Sequence, residues 1–288
     1  MSKIKVKAPA KINLTLEVGE KREDGFHPIK SIMQAISLFD FLTIELRPSS
    51  TVEISLSGTS RDIPYDSKNL VYKACELFLN KAGKICAVDV FIEKNIPIEA
   101  GLAGGSADAA GVLYGLNKLF NNIFDKDGLI ELCSEIGSDV AFCLFGGTQF
   151  ATGRGEVLKR VQTPDLNLLL IKPKSFGISA KEAYQSFDKL PIQIKKNYSF
   201  EMIMAINKGL SLGNFLYNDL ELAIKESYPQ IGELKEFMIN LGCEATLMSG
   251  SGSTVFGLIE DKGIPIPENL NAECFFAKTI DYGVRVVR

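Results

Sequence analysis

The stretch Pro97-Ile-Glu-Ala-Gly-Leu-Ala-Gly-Gly-Ser-Ala-Asp-Ala-Ala110 constrains the fold more than any other, because one periodicity gives way to another across it. Ahead of it Val88, Val90 and Ile92 alternate with polar neighbours, the two-residue period of a half-buried strand. After it Ala109, Val112, Leu113, Leu116, Leu119 and Phe120 recur at helical spacing. A strand must therefore turn through small, glycine-rich backbone straight into a helix N-terminus. Unpaired N–H groups and the positive end of the helix dipole favour an anion there, and the lack of bulky side chains lets a phosphate approach the backbone. No Gly-Lys-Ser or Gly-Lys-Thr ending follows, and the spacing is not Gly-x-Gly-x-x-Gly, so neither the common P-loop nor the dinucleotide fingerprint is present. Taken alone, the pattern is open between an anion cradle and a flexible turn ahead of a tightly packed helix.

The rest of the chain is read around that element. Ile4 and Val6, then Ile12, Leu14, Leu16 and Val18, predict an opening strand interrupted by a bend at Ala8-Pro9-Ala10. The same period at Leu42 to Leu46 and Val52 to Leu56 predicts antiparallel sheet. Helices are expected near Ser67 to Leu79, after the glycine-rich loop, and around Leu129 to Ile136, ending at Gly137. Beyond Gly153-Arg-Gly-Glu156 comes a second series, with a strand at Leu166 to Ile171, helices near 179–187, 214–225 and Ile231 to Leu241, and closing strands to Val287. Strands first and helices after make an α+β pattern. With 288 residues, 46% of them hydrophobic, two domains are expected, divided as 1–157 and 158–288 around a shared cleft, and the last strands may belong to either.

Lys plus Arg number 32 against 35 Asp plus Glu, a net charge of −3 that offers no bulk attraction to nucleic acid or an anionic membrane surface. No apolar run approaches the ~20 residues of a membrane span, and the N-terminus lacks the apolar core of a signal peptide, so a cytoplasmic protein is expected. The six cysteines form no Cys-x-x-Cys pair and read as buried thiols. His27 is the only histidine, which leaves little room for a metal centre or a histidine-based nucleophile.

Strand alternation puts Lys11, Asn13 and Thr15 on one face, which fits a solvated strand face as well as a site. Asp139 follows Ser138 at an expected helix start, where a carboxylate is favoured by the dipole alone. The turn Met248-Ser-Gly-Ser-Gly-Ser253 is either a hairpin or a second backbone cradle, and the glycines at 146–147, 153 and 155 read as structural.

Pro9-Ala-Lys-Ile-Asn-Leu14, the loop from Pro97 and the Met248–Ser253 turn, in this order and at these separations, resemble the three motifs of the GHMP small-molecule kinases. Asp24-Gly-Phe-His27, Gly104-Gly-Ser106, Gly137-Ser-Asp-Val140 and Gly153-Arg-Gly-Glu156 are similar to the branch whose acceptor is a polyol carried on a cytidine diphosphate. The likeness runs from about Lys7 to Leu258. It implies a ribosomal protein S5 domain 2-like N-terminal domain, a ferredoxin-like α/β C-terminal domain, ATP and Mg²⁺. No metal ligand is assigned.

By the same resemblance Asp139 is the catalytic base and Lys11 polarises the acceptor hydroxyl and the incoming phosphoryl group. Pro97, Ile98, Glu99, Ala100, Gly101, Leu102, Ala103, Gly104, Gly105, Ser106 and Ala107 hold the phosphates, and Asn69, Leu70 and Val71 the adenine. Asn13 binds the polyol, Phe26 and Tyr184 sandwich the cytosine, and the His27 backbone reads its edge. Two departures stand out: Ala107 replaces a serine common in the family, and Ala141 replaces a proline. Neither removes Lys11 or Asp139. The expected partner is one small-molecule substrate, handled by a monomer or weak homodimer. The rival readings are a kinase of the same family acting on mevalonate, homoserine or a sugar, and a catalytically silent nucleotide-binding regulator.

Overall fold

The structure, a computed structural model, describes residues 2–190, 197–260, 264–267 and 269–287. Its elements follow in chain order as β1 (Ser2–Val18), β2 (Ile29–Arg47), β3 (Glu53–Gly58), α1 (Leu70–Ala82), β4 (Ala87–Glu93), α2 (Gly104–Leu119), α3 (Lys126–Ile136), α4 (Val140–Phe145), β5 (Thr148–Thr152) and β6 (Val157–Val161). The chain continues through β7 (Asn167–Pro173), α5 (Ala180–Phe187), α6 (Tyr198–Asn207), β8 (Tyr217–Asn218), α7 (Asp219–Ile224), α8 (Pro229–Asn240), β9 (Ala245–Met248), β10 (Val255–Ile259), β11 (Ala272–Lys278) and β12 (Arg285–Val286).

The larger sheet runs β12-β1-β2-β4-β3, with the β5–β6 hairpin joined to β2 and β8 lying parallel to β1. The smaller sheet is antiparallel in the order β11-β7-β10-β9, so its fourth, first, third and second strands lie side by side, as in a ferredoxin-like unit. The closing strands divide between the two, since β11 joins the smaller sheet and β12 returns to pair with Val6 and Lys7 of β1.

Three expectations need correction. The opening strand is not broken at Ala8-Pro9-Ala10; β1 is continuous, and its pairing with β2 slips register between Pro9 and Lys11 and again between Asn13 and Thr15. Proline has no N–H for the ladder, and a bulge absorbs the missing bond without ending the strand. Second, β3 does not pair with β2. It lies parallel to β4, which is inserted between them after the α1 crossover; a two-residue period is the same in either pairing and cannot name the partner. Third, the expected helix at 214–225 is a short 3₁₀ turn, β8 and α7, while α6 was not anticipated.

From Ala8 to Val18 every residue of β1 is buried, because the strand is covered on both sides. From the second half of the chain, α6 meets β1 through Ser199, whose hydroxyl lies 2.9 Å from that of Thr15 and whose amide donates to Glu17 at 2.8 Å. Beside it the Val18 amide donates to Asp219 at 2.7 Å. On the other side Phe78 of α1 is fully buried, stacked on Phe120 at 5.9 Å and edge-on to Phe124 at 5.1 Å, which fixes α1 to the end of α2. Among the described residues no helix is long and apolar enough to cross a membrane. Truncating the central ring in Phe78→Ala is expected to cost ~3–5 kcal/mol, read from the urea midpoint.

Candidate active site

Lys11 and Asn13 face inward. Lys11 is 5% exposed and Asn13 1%, so the solvated-face reading of that strand falls away. An ammonium held so deep must be answered by polar atoms. The Lys11 Nζ donates to Asn13 Oδ1 at 2.7 Å and lies 3.9 Å from Asp139 Oδ2. Asn13 is itself held, since its Nδ2 donates to Ser31 Oγ at 2.8 Å and that hydroxyl donates to the Thr15 carbonyl at 2.6 Å. Asp139 precedes α4, yet its carboxylate makes no capping hydrogen bond and turns toward Lys11. It is the more exposed of the pair and faces open space.

The glycine-rich segment docks on the same residue from the other side, because the Lys11 amide donates to the Leu102 carbonyl at 3.1 Å. Glu99, Gly101 and Ala103 all take left-handed backbone. The first rung of the α2 ladder runs from the Ala107 amide to the Ala103 carbonyl, which leaves the amides of Gly104, Gly105 and Ser106 at the open end of the helix. Ala103, the residue before α2, offers no capping side chain, and the Ser106 hydroxyl has no partner among the described residues. Ala107 itself is buried. The Met248–Ser253 turn packs backbone to backbone on this loop. A Cβ on Gly101 would stand 2.0 Å from the Ser249 carbonyl oxygen, and Ser249 Oγ donates to the Gly101 carbonyl at 3.0 Å.

Beneath the start of α2 lies a charge cluster that no sequence pattern announced. The Lys94 ammonium is buried against Gly104, paired with Asp40 and, at 3.0 Å, with Asp108. Asp40 also accepts the amides of Asn95 at 2.6 Å and Ile96 at 2.8 Å, so it ties the loop entrance to β2. Burial pushes the Asp108 carboxyl well above the usual carboxylate range, against the pull of Lys94.

At the start of α1, Asn69 caps the helix by accepting from the Val71 amide at 2.9 Å, and its Nδ2 donates to the Pro64 carbonyl at 2.7 Å. Val71 is buried, and Leu70 reaches the glycine-rich loop, 3.8 Å from where a Gly105 Cβ would stand.

The aromatic residues Phe26 and Tyr184 each take a different ring or cation as neighbour. Tyr184 stacks on His27, with ring centroids 5.4 Å apart, and burial with the nearby Asp139 pushes its hydroxyl up to about 12, so it stays a neutral phenol. His27 Nδ1 lies 2.8 Å from the Gly19 carbonyl, which makes that nitrogen the donor, and Nε2 lies 3.0 Å from Asp188. A hydrogen bond from Lys21 holds the Asp188 carboxyl below its ordinary value, with His27 contributing less. Phe26 is 52% exposed, and the Arg154 guanidinium sits over its ring at 5.0 Å. The Arg154 backbone amide donates to Glu156 at 2.6 Å, while its guanidinium has no carboxylate partner among the described residues. The cleft, of about 240 Å³, collects Lys11, Asn13, Asp139, Gly101, Arg154, Tyr184 and Gly250. The Gly153-Arg-Gly155 run, read as a structural turn, thus presents a cation to the site.

The chain matches the GHMP kinases N terminal domain over residues 69–147 and the GHMP kinases C terminal domain over 202–274. It is 44% identical over 257 residues to the 4-diphosphocytidyl-2-C-methyl-D-erythritol kinase of Pelotomaculum thermopropionicum, covering 88% of each chain. A crystal structure of 4-(cytidine 5'-diphospho)-2C-methyl-D-erythritol kinase superposes with a TM-score of 0.78 at 32% identity, covering 96% of this chain and 99% of that one. The homoserine kinase of Cytophaga hutchinsonii, at 21% identity, gives a TM-score of 0.78 over 100% of this chain and 98% of that one, a likeness of fold.

Two outcomes test this geometry. Gly101→Ala sets a methyl against backbone that cannot give way, at a left-handed φ, and should lower stability by more than ~1 kcal/mol in urea unfolding. The raised Asp108 carboxyl keeps in the folded state a proton that the unfolded chain releases near 3.8, so its contribution to stability is lost as pH rises through the folded value. Asp108→Asn should therefore flatten the fall in the urea midpoint as pH rises above the unfolded carboxyl's 3.8.

Proposed function

The chain belongs to the GHMP kinases, in their 4-diphosphocytidyl-2-C-methyl-D-erythritol kinase branch, and from that premise we propose that it phosphorylates this cytidyl compound. The γ-phosphoryl group of ATP goes to the 2-hydroxyl, giving the 2-phosphate and ADP in the methylerythritol phosphate route to isoprenoid precursors. The observation that carries the reading is the Lys11–Asp139 pair, 3.9 Å apart in a cleft walled by the glycine-rich loop.

Phosphoryl transfer asks a protein mainly to position the reactants and to neutralise charge on the phosphoryl oxygens. Asp139, unused as a cap, takes the proton of the acceptor hydroxyl as the new O–P bond forms and the bond to the β-phosphate oxygen of ATP breaks. Lys11 polarises that hydroxyl and then faces the transferred phosphoryl oxygens. Asn13 fixes Lys11 and still has one amide hydrogen and one lone pair free for the polyol. The polyphosphate lies on the amides of Gly104, Gly105 and Ser106, with the adenine beside Asn69, Leu70 and Val71. Mg²⁺ would be held by phosphate oxygens and the unpartnered Ser106 hydroxyl, and when bound it would neutralise phosphate charge. Residues 1–157 carry the nucleotide site and most acceptor contacts, and 158–288, the substrate-side domain, close the acceptor site with Tyr184, in a monomer or weak homodimer of the cytoplasm.

The cytosine stacks on Phe26, with Tyr184 toward its other face. To do so it takes the place of the Arg154 guanidinium over the Phe26 ring, and the freed cation turns to the diphosphate that joins base to polyol. The 2-hydroxyl is then delivered to Lys11 and Asp139 at the deep end.

Asp139→Asn should lower kcat by ~10² to 10⁴, as loss of a general base does, with ATP affinity little changed. Near-normal turnover would remove Asp139 from the mechanism. Phe26→Ala should raise KM for the cytidyl acceptor and spare KM for ATP; the reverse would put the base elsewhere. Comparing the cytidyl compound with mevalonate, homoserine and sugars decides among acceptors, and ATP binding without transfer to any of them would establish the silent regulator.

A further inference from the structure

Beside the cleft, the side chain with most of its hydrogen bonds committed is Asn218, the end of β8 and the N-cap of α7. It is 2% exposed and lies level with Leu16 of β1. Its Oδ1 accepts from the Leu220 amide at 2.9 Å, which is the helix cap. Both hydrogens of its Nδ2 go elsewhere, to the Met248 carbonyl at 2.9 Å and the Gly250 carbonyl at 2.8 Å. One turn on, Glu221 accepts from the Met248 amide at 2.6 Å and is paired with Lys235. The first turn of α7 thereby grips the end of β9 and carries that grip across to Gly250.

Gly250 has almost no room. It sits at a φ of +55°, and a Cβ there would stand 3.1 Å from Lys11 Nζ and 3.0 Å from the Gly101 carbonyl oxygen. Its backbone is the wall on which the Lys11 ammonium rests, and the glycine-rich loop rests on the same wall. Whatever places Gly250 places both.

We propose that Asn218 is a positioning residue for phosphoryl transfer, whose carboxamide fixes Gly250 and through it the station of Lys11 relative to Asp139 and the phosphate loop. The proposal rests on the kinase reading above. A helix cap alone would change stability and leave the chemistry of the folded enzyme as it was. A displaced ammonium changes the chemistry, because an error near 1 Å in reacting geometry costs ~10²-fold.

Asn218→Ser and Asn218→Asp both keep an oxygen for the Leu220 amide and lose the two N–H donors of the carboxamide; Ser retains one short O–H that cannot serve both carbonyls, and Asp adds repulsion against them. With the full chain, ATP and the cytidyl compound, kcat should fall by ~10- to 100-fold at unchanged KM for the acceptor, more in the Asp variant than in the Ser variant. Circular dichroism should match the parent, and crystal structures should show the Gly250 turn withdrawn from Lys11. Asn218→Ala also removes the cap, so it should melt lower than the Ser variant. Parental kcat in the folded Ser and Asp variants, a loss confined to acceptor KM, or an unmoved turn would each overturn the proposal. If the parent chain fails to phosphorylate the cytidyl compound, the reading of function falls. The position of the turn, which needs no substrate, still decides whether Asn218 holds Gly250.

Discussion

A lysine ammonium buried in the middle of a sheet has to be surrounded by oxygen, and much of this protein can be read as the means of doing that for Lys11. Asn13 supplies one oxygen from the same strand, and Asp139 supplies another from the residue before α4. The strand that carries Lys11 donates its own amide to the glycine-rich loop, while Gly250 closes in from the second half of the chain. Because β1 is covered on both sides, water is kept from the ammonium except at the cleft, where its charge is directed. Loss of one oxygen partner would leave a buried cation half answered, so these pieces are energetically tied to one another.

A second buried lysine stands under the same loop. Lys94 faces the N-terminal end of α2, where the helix dipole already opposes a cation, and the Asp40 carboxylate with the Asp108 carboxyl makes its burial tolerable. Asp40 does more than balance charge, because it also holds the amides of Asn95 and Ile96 at the loop entrance. The loop therefore lies between two fixed ammonium groups, one facing the cleft and one sealed beneath. Its left-handed residues Glu99 and Ala103 are held in place by that surrounding structure.

What the amino-acid sequence disclosed follows the range of its signals. The turn from strand to helix at Pro97 to Ala110 was legible because both periodicities are local, and so was the helix that stops before Gly137. Lys11 and Asn13 were visible as neighbours on one strand face, but whether that face met water depended on the glycine-rich loop and the Gly250 turn closing over Lys11, and both are distant in sequence. The partner of β3 was hidden because the same alternation serves either neighbour. Arg154 was hidden by its glycine neighbours, which suggest a turn and say nothing of where its cation points. Asp40, Lys94 and Asp108 are brought together only by packing, and each alone is an ordinary charged residue. For the same reason Asn218 has no motif of its own in the sequence reading.

Besides the turn packed on Gly101 and the contacts around His27, two separated places join the two halves of the chain. At one, the end of β11 runs beside β2, where the Lys278 amide donates to Ser37 Oγ at 2.8 Å and the Ile280 amide to the Ala35 carbonyl at 3.0 Å. At the other, β8 and α6 are sewn onto β1 through Asn218's strand and the Ser199 contacts. The cleft lies between these seams, and both halves line it, Lys11, Asp139 and Arg154 from the first and Tyr184 and Gly250 from the second, so its width is set by the same contacts that hold the halves together.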